Sequence, residues 1–190
     1  MSVARVPPLR LAGLLTCCAP LLACASQTDE TAPSFATLQI LRNQNVPPMA
    51  RGAFTARSPA LQRSVAIRLS VMHARKGRDF ADFLGTTFET ELRAAGKLDA
   101  ASPLQLDGVL TESHAGENFA KGGASLGATI TLRRGGATIF SRPYRVETRW
   151  QSEFIGAIAI AEAFRQYNSL YALLARKVLC DPDFIAASKR

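Results

Sequence analysis

The chain has 190 residues, of which 47% are hydrophobic and 20% are charged, a balance typical of one globular domain with extra processing or linker segments. Its formal net charge of +8 is spread along the sequence and forms no dense basic run or mixed aromatic and basic motif, which argues against nucleic-acid binding. No CxxC pair and no dinucleotide fingerprint occur, so the sequence predicts neither a metal site of that type nor a cofactor.

The N-terminus has the features of a secretion signal. Arg5 and Arg10 lead into an uncharged, mostly apolar stretch over residues 11 to 23, which is too short to cross a bilayer comfortably. It ends in Leu21-Leu22-Ala23-Cys24, which resembles a bacterial lipobox. The resemblance implies cleavage before Cys24 and acylation of that cysteine, for example with palmitate. An ordinary cleaved signal and an uncleaved anchor are the alternatives.

The residue after the lipidated cysteine bears on localisation. Ala25 stands where an aspartate would be expected for retention at the inner membrane, so the pattern resembles that of outer-membrane lipoproteins facing the periplasm. Several acyl chains on one residue would hold the protein to the membrane stably. After cleavage and acylation Cys180 is the remaining free thiol, and we expect it to be a small, partly buried apolar residue.

The sequence divides into three parts. Residues 1–23 are the predicted lipoprotein signal peptide, and residues 24–60 comprise the lipidated cysteine, a tether and an extended segment. Within that second part, the alternation of apolar residues predicts a short strand over 35–41. Residues 61–190 are predicted to form a single periplasmic α/β domain.

The first half of that domain reads as strand, helix and strand. Alternating apolar residues predict a strand over 64–71, and an apolar stripe at helical spacing predicts a helix over 79–95, ended by Gly96. The acidic residues on this helix are expected to form its solvated face; they are Asp79, Asp82, Glu89 and Glu91. A strand over 104–111 and a glycine-rich loop over 113–123 follow.

The second half reads as a hairpin and a long helix. Gly135-Gly136 predicts a tight turn between strands 124–134 and 137–150. The apolar pattern requires one extra residue in the later strand, and we place this bulge near Arg142-Pro143, so that Ala128 opposes Tyr144 and Leu126 opposes Val146.

A helix over 156–179 completes the order β-α-β-β-β-α. The predicted fold is an α/β (α+β) two-layer sandwich, a mixed four-stranded sheet with both helices on one face. The opposite, polar face is either solvated or a docking surface.

Motifs that could indicate an enzyme lack their required context. Residues 123–127 match the G-x-S-x-G pattern around Ser125, but a strand follows the serine where the hydrolase elbow needs a helix. His73 and His114 both precede the serine and lack neighbouring metal ligands at suitable spacing, so both are expected to be solvated. The sequence therefore predicts a protein that is not an enzyme.

Two apolar segments are candidates for partner binding. Pro47, Pro48 and Met49 either pack on the domain or offer an extended ligand to a partner. Trp150 and Phe154 either close the core or form an exposed hydrophobic rim.

The segment from Phe80 to Gly108 is similar to a module of envelope proteins found in the N-terminal domain of the Tol-Pal translocation protein and in transporter-auxiliary lipoproteins. The whole mature chain resembles uncharacterised proteobacterial envelope lipoproteins. The resemblance implies a non-enzymatic binding or assembly module of an envelope complex, without an evident small-molecule substrate. The alternative is a lipid-handling or transporter-auxiliary carrier, which would need an unfilled apolar groove between helices and sheet.

Overall fold

The computed structural model describes residues 31–61, 64–67, 70–74, 78–117, 121–151 and 156–190. Its elements in chain order are α1 Phe35–Asn43, β1 Ala50–Ala56, a 3-10 turn Pro59–Leu61, β2 Ser64–Ile67, β3 Ser70–His73, α2 Phe80–Ala95, β4 Leu104–Glu117, β5 Lys121–Arg134, β6 Ala137–Gln151, α3 Gly156–Leu179 and α4 Pro182–Ser188.

The main sheet has four strands in the order β1-β4-β5-β6. β1 is parallel to β4, whereas β4, β5 and β6 form an antiparallel meander. α2 packs on β1 and β4, α3 packs on β5 and β6, and the two helices contact each other. The predicted two-layer arrangement, with a mixed four-stranded sheet and both helices on one face, is confirmed.

The parallel strand comes from a different segment than the one predicted. Residues 64–67 and 70–73 form a separate two-stranded antiparallel sheet, so the prediction of one sheet strand over 64–71 is wrong. The parallel partner of β4 is β1, in which the Phe54 ring packs over Gly108; an added Cβ on Gly108 would lie 2.4 Å from that ring. Gly52 lies in the irregular part of the β1–β4 register, between Arg51 and Phe54.

The predicted strand over 35–41 is also wrong, because this segment is the helix α1. The side chain of Ser34 caps it by accepting a hydrogen bond from the Thr37 amide. Thr37 and Leu41, four residues apart, are its buried positions, which is helical spacing. The compact fold therefore includes residues 35 to 56, ahead of the predicted domain start at residue 61.

The hairpin of β5 and β6 confirms the predicted turn and core pairing. Gly135 and Gly136 have φ of 55° and 86°, as a two-residue hairpin turn requires. Ala128 opposes Tyr144 and Leu126 opposes Val146.

The extra residue lies elsewhere than predicted. Leu132 pairs with Phe140 and Arg133 pairs with Thr138, so Ile139 is the bulged residue. The ladder runs through Pro143, which pairs with Thr129, and the predicted bulge at Arg142-Pro143 is wrong. A proline can be accommodated there if its nitrogen faces away from β5.

The helices follow the predicted boundaries closely. Asp79 caps α2 by accepting from the Asp82 amide, and Gly96 ends it with φ of 72°. α3 spans the predicted residues. The short α4, which was not predicted, begins after Asp181, whose side chain accepts from the Asp183 amide, with a proline at the first helical position.

The expected glycine-rich loop over 113–123 is mostly strand, because β4 extends to Glu117 and β5 starts at Lys121. The carrier alternative would need an unfilled apolar groove between helices and sheet, and the described side chains fill that interface. Tyr167 and Tyr171 are fully buried, and their rings pack edge-on against Phe80 and Phe83.

Candidate functional site

The structure describes some of the predicted site residues and not others. Cys24 and Phe154 lie outside the described residues. Pro47, Pro48 and Met49 lie between α1 and β1, and Trp150 lies near the end of β6.

The proline segment is fixed to the domain by its backbone. The Met49 amide donates to the Lys97 carbonyl at 2.9 Å, and the Asp99 amide donates to the Met49 carbonyl at 3.1 Å. Ser102 Oγ donates to the Pro48 carbonyl at 2.8 Å. The Met49 side chain is fully buried, whereas Pro48 is exposed. Met49 is therefore part of the core, and partner contact by the two prolines stays a prediction.

Trp150 is half-buried and packs against the core. Its indole lies over Gly122 on the neighbouring strand, where an added Cβ would come within 2.1 Å of the ring. Ile158, in the first turns of α3, is 53% exposed. The contact with Gly122 contributes to the burial of Trp150, and the role of Trp150 in partner binding stays a prediction.

The open face of the sheet carries a polar cluster around Ser125. Ser125 Oγ donates to Glu112 at 2.5 Å, and Arg145 donates to both oxygens of the same carboxylate at 3.1 and 2.9 Å. Arg145 also binds Glu147 at 2.7 Å. These contacts join three strands across the face that is not covered by the helices.

This cluster lacks the features of a serine nucleophile. His114 is the ladder partner of Ser125, a juxtaposition that the sequence did not predict. The Ser125 hydroxyl, however, donates to Glu112, and the hydrogen bond from Arg145 holds the pKa of that carboxyl below its usual range. A carboxylate stabilised in its charged form is a weak base, so the contacts are those of a structural network. Ser125 lies within β5, so a strand follows it where the elbow of a serine hydrolase needs a helix, as predicted.

A cleft opens on the other side of β6, between its outer edge, α1 and α3. It has a volume of about 620 Å³ and is lined by Ala36, Ile40, Arg145, Val146, Glu147, Leu173, Arg176, Lys177 and Cys180. A second cleft of about 560 Å³ continues from it along α4 and shares Ile40 and Cys180. The floor is apolar, and Lys189 adds a further cation to the rim of the second cleft.

The charges around the first cleft are unbalanced. Arg176 and Lys177 of α3 contribute two positive charges, whereas the charge of Arg145 is balanced by Glu112 and Glu147 on the open sheet face. Within the described residues, Arg176 makes no hydrogen bond or ion pair through its guanidinium. The cleft therefore has a positive potential suited to an anionic or acidic ligand.

Cys180, in the wall shared by both clefts, is a half-buried free thiol. Burial raises the pKa of the Cys180 thiol above its ordinary value. The thiol form is favoured at neutral pH, which makes the residue a slow nucleophile. This agrees with the expected packing role.

Two further properties restrict the chemistry of the described residues. None of the described helices is long and apolar enough to cross a membrane. Across the same residues, no three histidine, cysteine, aspartate or glutamate side chains are grouped as a metal site would need.

Comparisons with known proteins identify the fold. No family model matches the sequence, and no curated protein matches it. A solved structure from Xanthomonas campestris, described as a member of the family DUF330, is similar with a TM-score of 0.52 at 15% identity, covering 80% of this chain and 93% of that one. At this identity the likeness shows a shared fold.

Two other solved structures have lower scores. A minor lipoprotein from Acinetobacter baumannii has a TM-score of 0.40 at 12% identity, covering 71% of this chain and 94% of that one. A candidate lipoprotein from Caulobacter crescentus has a TM-score of 0.42 at 15% identity, covering 56% of this chain and 80% of that one. These scores carry no conclusion about this chain.

Proposed function

We propose that the chain is a lipoprotein held to the outer membrane through Cys24 and facing the periplasm, and that its domain is a non-enzymatic binding or assembly module of an envelope protein complex. The observation that carries the proposal is the order of features along the sequence. The lipobox-like motif ending at Cys24 precedes a short polar segment, which leads directly into the folded domain.

The geometry of the domain start limits where the module works. Glu91 accepts hydrogen bonds from the Ser34 amide at 2.9 and 3.1 Å, so the chain is fixed to the domain at this point. The residues from Cys24 to Ser34 span at most about 36 Å when fully extended. A lipid on Cys24 would therefore keep the domain close to the membrane surface while leaving it free to reorient toward a partner.

A binding role is supported by what the described side chains do. The polar groups on the open sheet face neutralise one another, as Arg145 does with Glu112 and Glu147. The cleft beside β6, in contrast, combines an apolar floor with a surplus of cations. This is the composition of a surface that recognises a partner without performing chemistry on it.

The alternative of a lipid-handling or transporter-auxiliary carrier is less well supported. Its expected site, between helices and sheet, is filled by buried aromatic side chains such as Tyr167 and Tyr171. The outer cleft has room for an amphiphilic ligand. The two functions are therefore distinguished by whether the protein is recovered from the envelope with a partner protein or with phospholipid.

The anchor is tested by the Cys24→Ser substitution. We expect the wild-type chain to incorporate a labelled palmitate analogue and to fractionate with the outer membrane, because the lipobox cysteine provides the acceptor thiol. The C24S chain should be unlabelled, and either released or unprocessed. Cys17→Ser and Cys18→Ser are matched controls that should retain the label. Normal processing and membrane attachment of C24S would contradict the proposal.

The module is tested by crosslinking in intact envelopes, followed by purification of the tagged wild-type chain. Recovery of one protein complex in stoichiometric amount would support the assembly function. Recovery of phospholipid alone would contradict it and favour the carrier.

A further inference from the structure

Among the described strands, none pairs with the outer side of β6. β6 is the last strand of the described main sheet, and β5 occupies only one of its two sides. An unpaired edge carries backbone donors and acceptors that can pair with an added strand.

The orientation of the backbone identifies which residues of β6 face outward. Lys177 Nζ donates to the carbonyl of Arg145 at 2.9 Å, so the backbone polar groups of Arg145 point away from β5. In an antiparallel strand this orientation repeats at every second residue. The register with β5 is unbroken from Ser141 to Gln151, so Glu147, Arg149 and Gln151 also face outward.

Pro143 gives independent support for this assignment. It has the same parity as Arg145, and the ladder with β5 passes through it without interruption. A proline lacks the amide hydrogen that an inward-facing position would have to donate. Its presence is therefore explained if these alternate residues face the open edge.

The first half of β6 is less accessible than the second half. The Phe140 ring packs edge-on against Phe184 of α4. Arg142 binds Asp181 and Asp183, at 2.8 and 2.7 Å, at the start of the same helix. From residue 145 onward, Lys177 is the one described side chain that donates to the outward backbone. A lysine at this position is a common way to protect an edge from uncontrolled pairing.

The cleft of about 620 Å³ supplies the space that an added strand would need, since its lining includes Arg145, Val146 and Glu147 in sequence. Side chains of an added strand that turn toward the helices would meet the apolar Ile40 and Leu173. The same wall carries the surplus cations Arg176 and Lys177, so acidic side chains would be favoured.

We propose that the outer edge of β6 over residues 145 to 151 is the docking site for an extended segment of a partner protein, one that combines apolar and acidic side chains. This inference rests on the proposed function as a binding or assembly module, and it specifies the surface and the kind of partner. Docking replaces the hydrogen bond from Lys177 by backbone pairing and frees its ammonium group to meet an acidic side chain.

The opposite edge of the sheet is a poorer candidate. β1 has seven residues, and its register with β4 is interrupted between Arg51 and Phe54. An irregular, short edge offers fewer aligned backbone groups for pairing than the continuous second half of β6.

A direct test uses a blocked seven-residue peptide of alternating valine and glutamate, with a valine and lysine peptide as control. Binding to the full chain, purified with its lipid in detergent, is measured by fluorescence anisotropy at low ionic strength. We expect the acidic peptide to bind at least about tenfold more tightly. It should also slow hydrogen exchange of the outward amides of Glu147 and Arg149 by a similar factor. Equal affinities, or protection confined to other segments, would overturn the proposal.

A pair of variants at one position separates backbone pairing from charge. Glu147→Gln and Glu147→Pro both remove the negative charge, but only proline removes the outward amide hydrogen. E147Q should bind the acidic peptide as tightly as the wild type or more tightly, whereas E147P should lose at least about tenfold in affinity. Equal binding by the two variants would exclude strand addition at this edge.

A second readout keeps the test decisive if E147P folds poorly, as circular dichroism would reveal. Cys180 lines the cleft, so the bound acidic peptide should slow alkylation of Cys180 in the wild-type chain, measured by mass spectrometry of the peptide that contains it. Unchanged alkylation together with unchanged exchange at Glu147 would overturn the proposal. Concentration-dependent dimers that E147P abolishes would instead assign the edge to a second copy of the chain.

Failure of this site and failure of the proposed function have different signatures. A wild-type chain that recovers no envelope protein would count against the function itself. A complex that survives E147P unchanged would count against this docking edge alone.

Discussion

Glu91 shows that the charge of a single residue can predict the wrong environment for it. It belongs to the charged positions of α2 that were expected to be solvated, yet it is 1% exposed. α1 packs against this side of α2, and the Ser34 amide donates to both carboxylate oxygens. Helical spacing places Glu91 on the apolar face of α2, seven residues after Leu84 and three after Phe88. Its charge favoured a solvated position, and α1, the helix that covers it, is distant in sequence.

The burial of Glu91 predicts a pH dependence of stability. Desolvation raises the pKa of this carboxyl above its ordinary value, and the Ser34 amide offsets the effect only in part. The folded state therefore binds the proton more tightly than the unfolded state. Its stabilising contribution is complete below the unfolded pKa and is lost as the pH rises through the folded pKa.

The Glu91→Gln substitution tests this prediction, because the amide is neutral at all pH values and keeps an oxygen that can accept from Ser34. We expect E91Q to raise the free energy of unfolding at neutral pH by about 1 kcal/mol and to flatten its dependence on pH above the acid range. Urea unfolding of both chains across a pH series measures the difference. Glu89→Gln, on the more exposed part of the helix, is the control. A wild-type profile that E91Q leaves unchanged would contradict the prediction.

The site residues illustrate the same limit of sequence reasoning. The register of the β5–β6 hairpin could be predicted on its core face, because Leu126 and Ala128 must meet apolar partners. The pairing of Ser125 with His114 could not, since it depends on the register of β4 with β5, including its irregularity between Leu110 and Glu112. The cleft at β6 depends on α1, a helix whose alternating apolar residues predicted a strand.

At the scale of elements, the predictions were right where strong local signals agreed. α2 has an aspartate cap and a glycine terminator, and the β5–β6 hairpin has two glycines of positive φ. They were wrong where a segment has prolines or short apolar runs, as in β1 and α1, because contacts with distant elements decide its conformation. Gly122 in β5 is a further example, since its glycine is explained by Trp150 on the next strand.

Two neighbouring glycines of β5 provide a prediction at this scale. Gly122→Ala would place a Cβ within 2.1 Å of the Trp150 indole, so the ring must shift. We expect a loss of about 1–3 kcal/mol in the free energy of unfolding, typical of overpacking. Gly123→Ala is the matched control, because its nearest contact, the Thr148 carbonyl, lies at 3.7 Å. Thermal and urea unfolding compare the two variants. Equal free energies of unfolding for the two variants would show that the Trp150 ring can shift without destabilising the fold.

At the scale of the whole molecule, the N-terminal part of the mature chain has two distinct roles. The polar segment after Cys24 belongs to the predicted tether, whereas α1 belongs to the fold. Leu41 at the end of α1 and Val46 after it are fully buried, and Arg42 donates to the carbonyl of Ala94 at 2.8 Å. α1 also forms a wall of the cleft beside β6. α1 thus lies between the proposed anchor and the candidate docking edge.

Two deletions separate these roles. Removing residues 25 to 30 should leave the free energy of unfolding unchanged, because they belong to the predicted polar tether. Removing residues 25 to 45 should lower it by at least about 3 kcal/mol. That deletion uncovers the core beneath Leu41, strips Glu91 of its hydrogen-bond donor, and removes packing worth about 1.5–3 kcal/mol per large apolar side chain. Urea unfolding measures both stabilities, and membrane fractionation checks that each chain retains its anchor.

The longer deletion should also speed alkylation of Cys180, since α1 shields the cleft in which that thiol lies. If the chain without residues 25 to 45 kept its free energy of unfolding and its slow alkylation of Cys180, α1 would not be part of the fold. The cleft would then lack the wall that α1 supplies, and docking at β6 would lose its support.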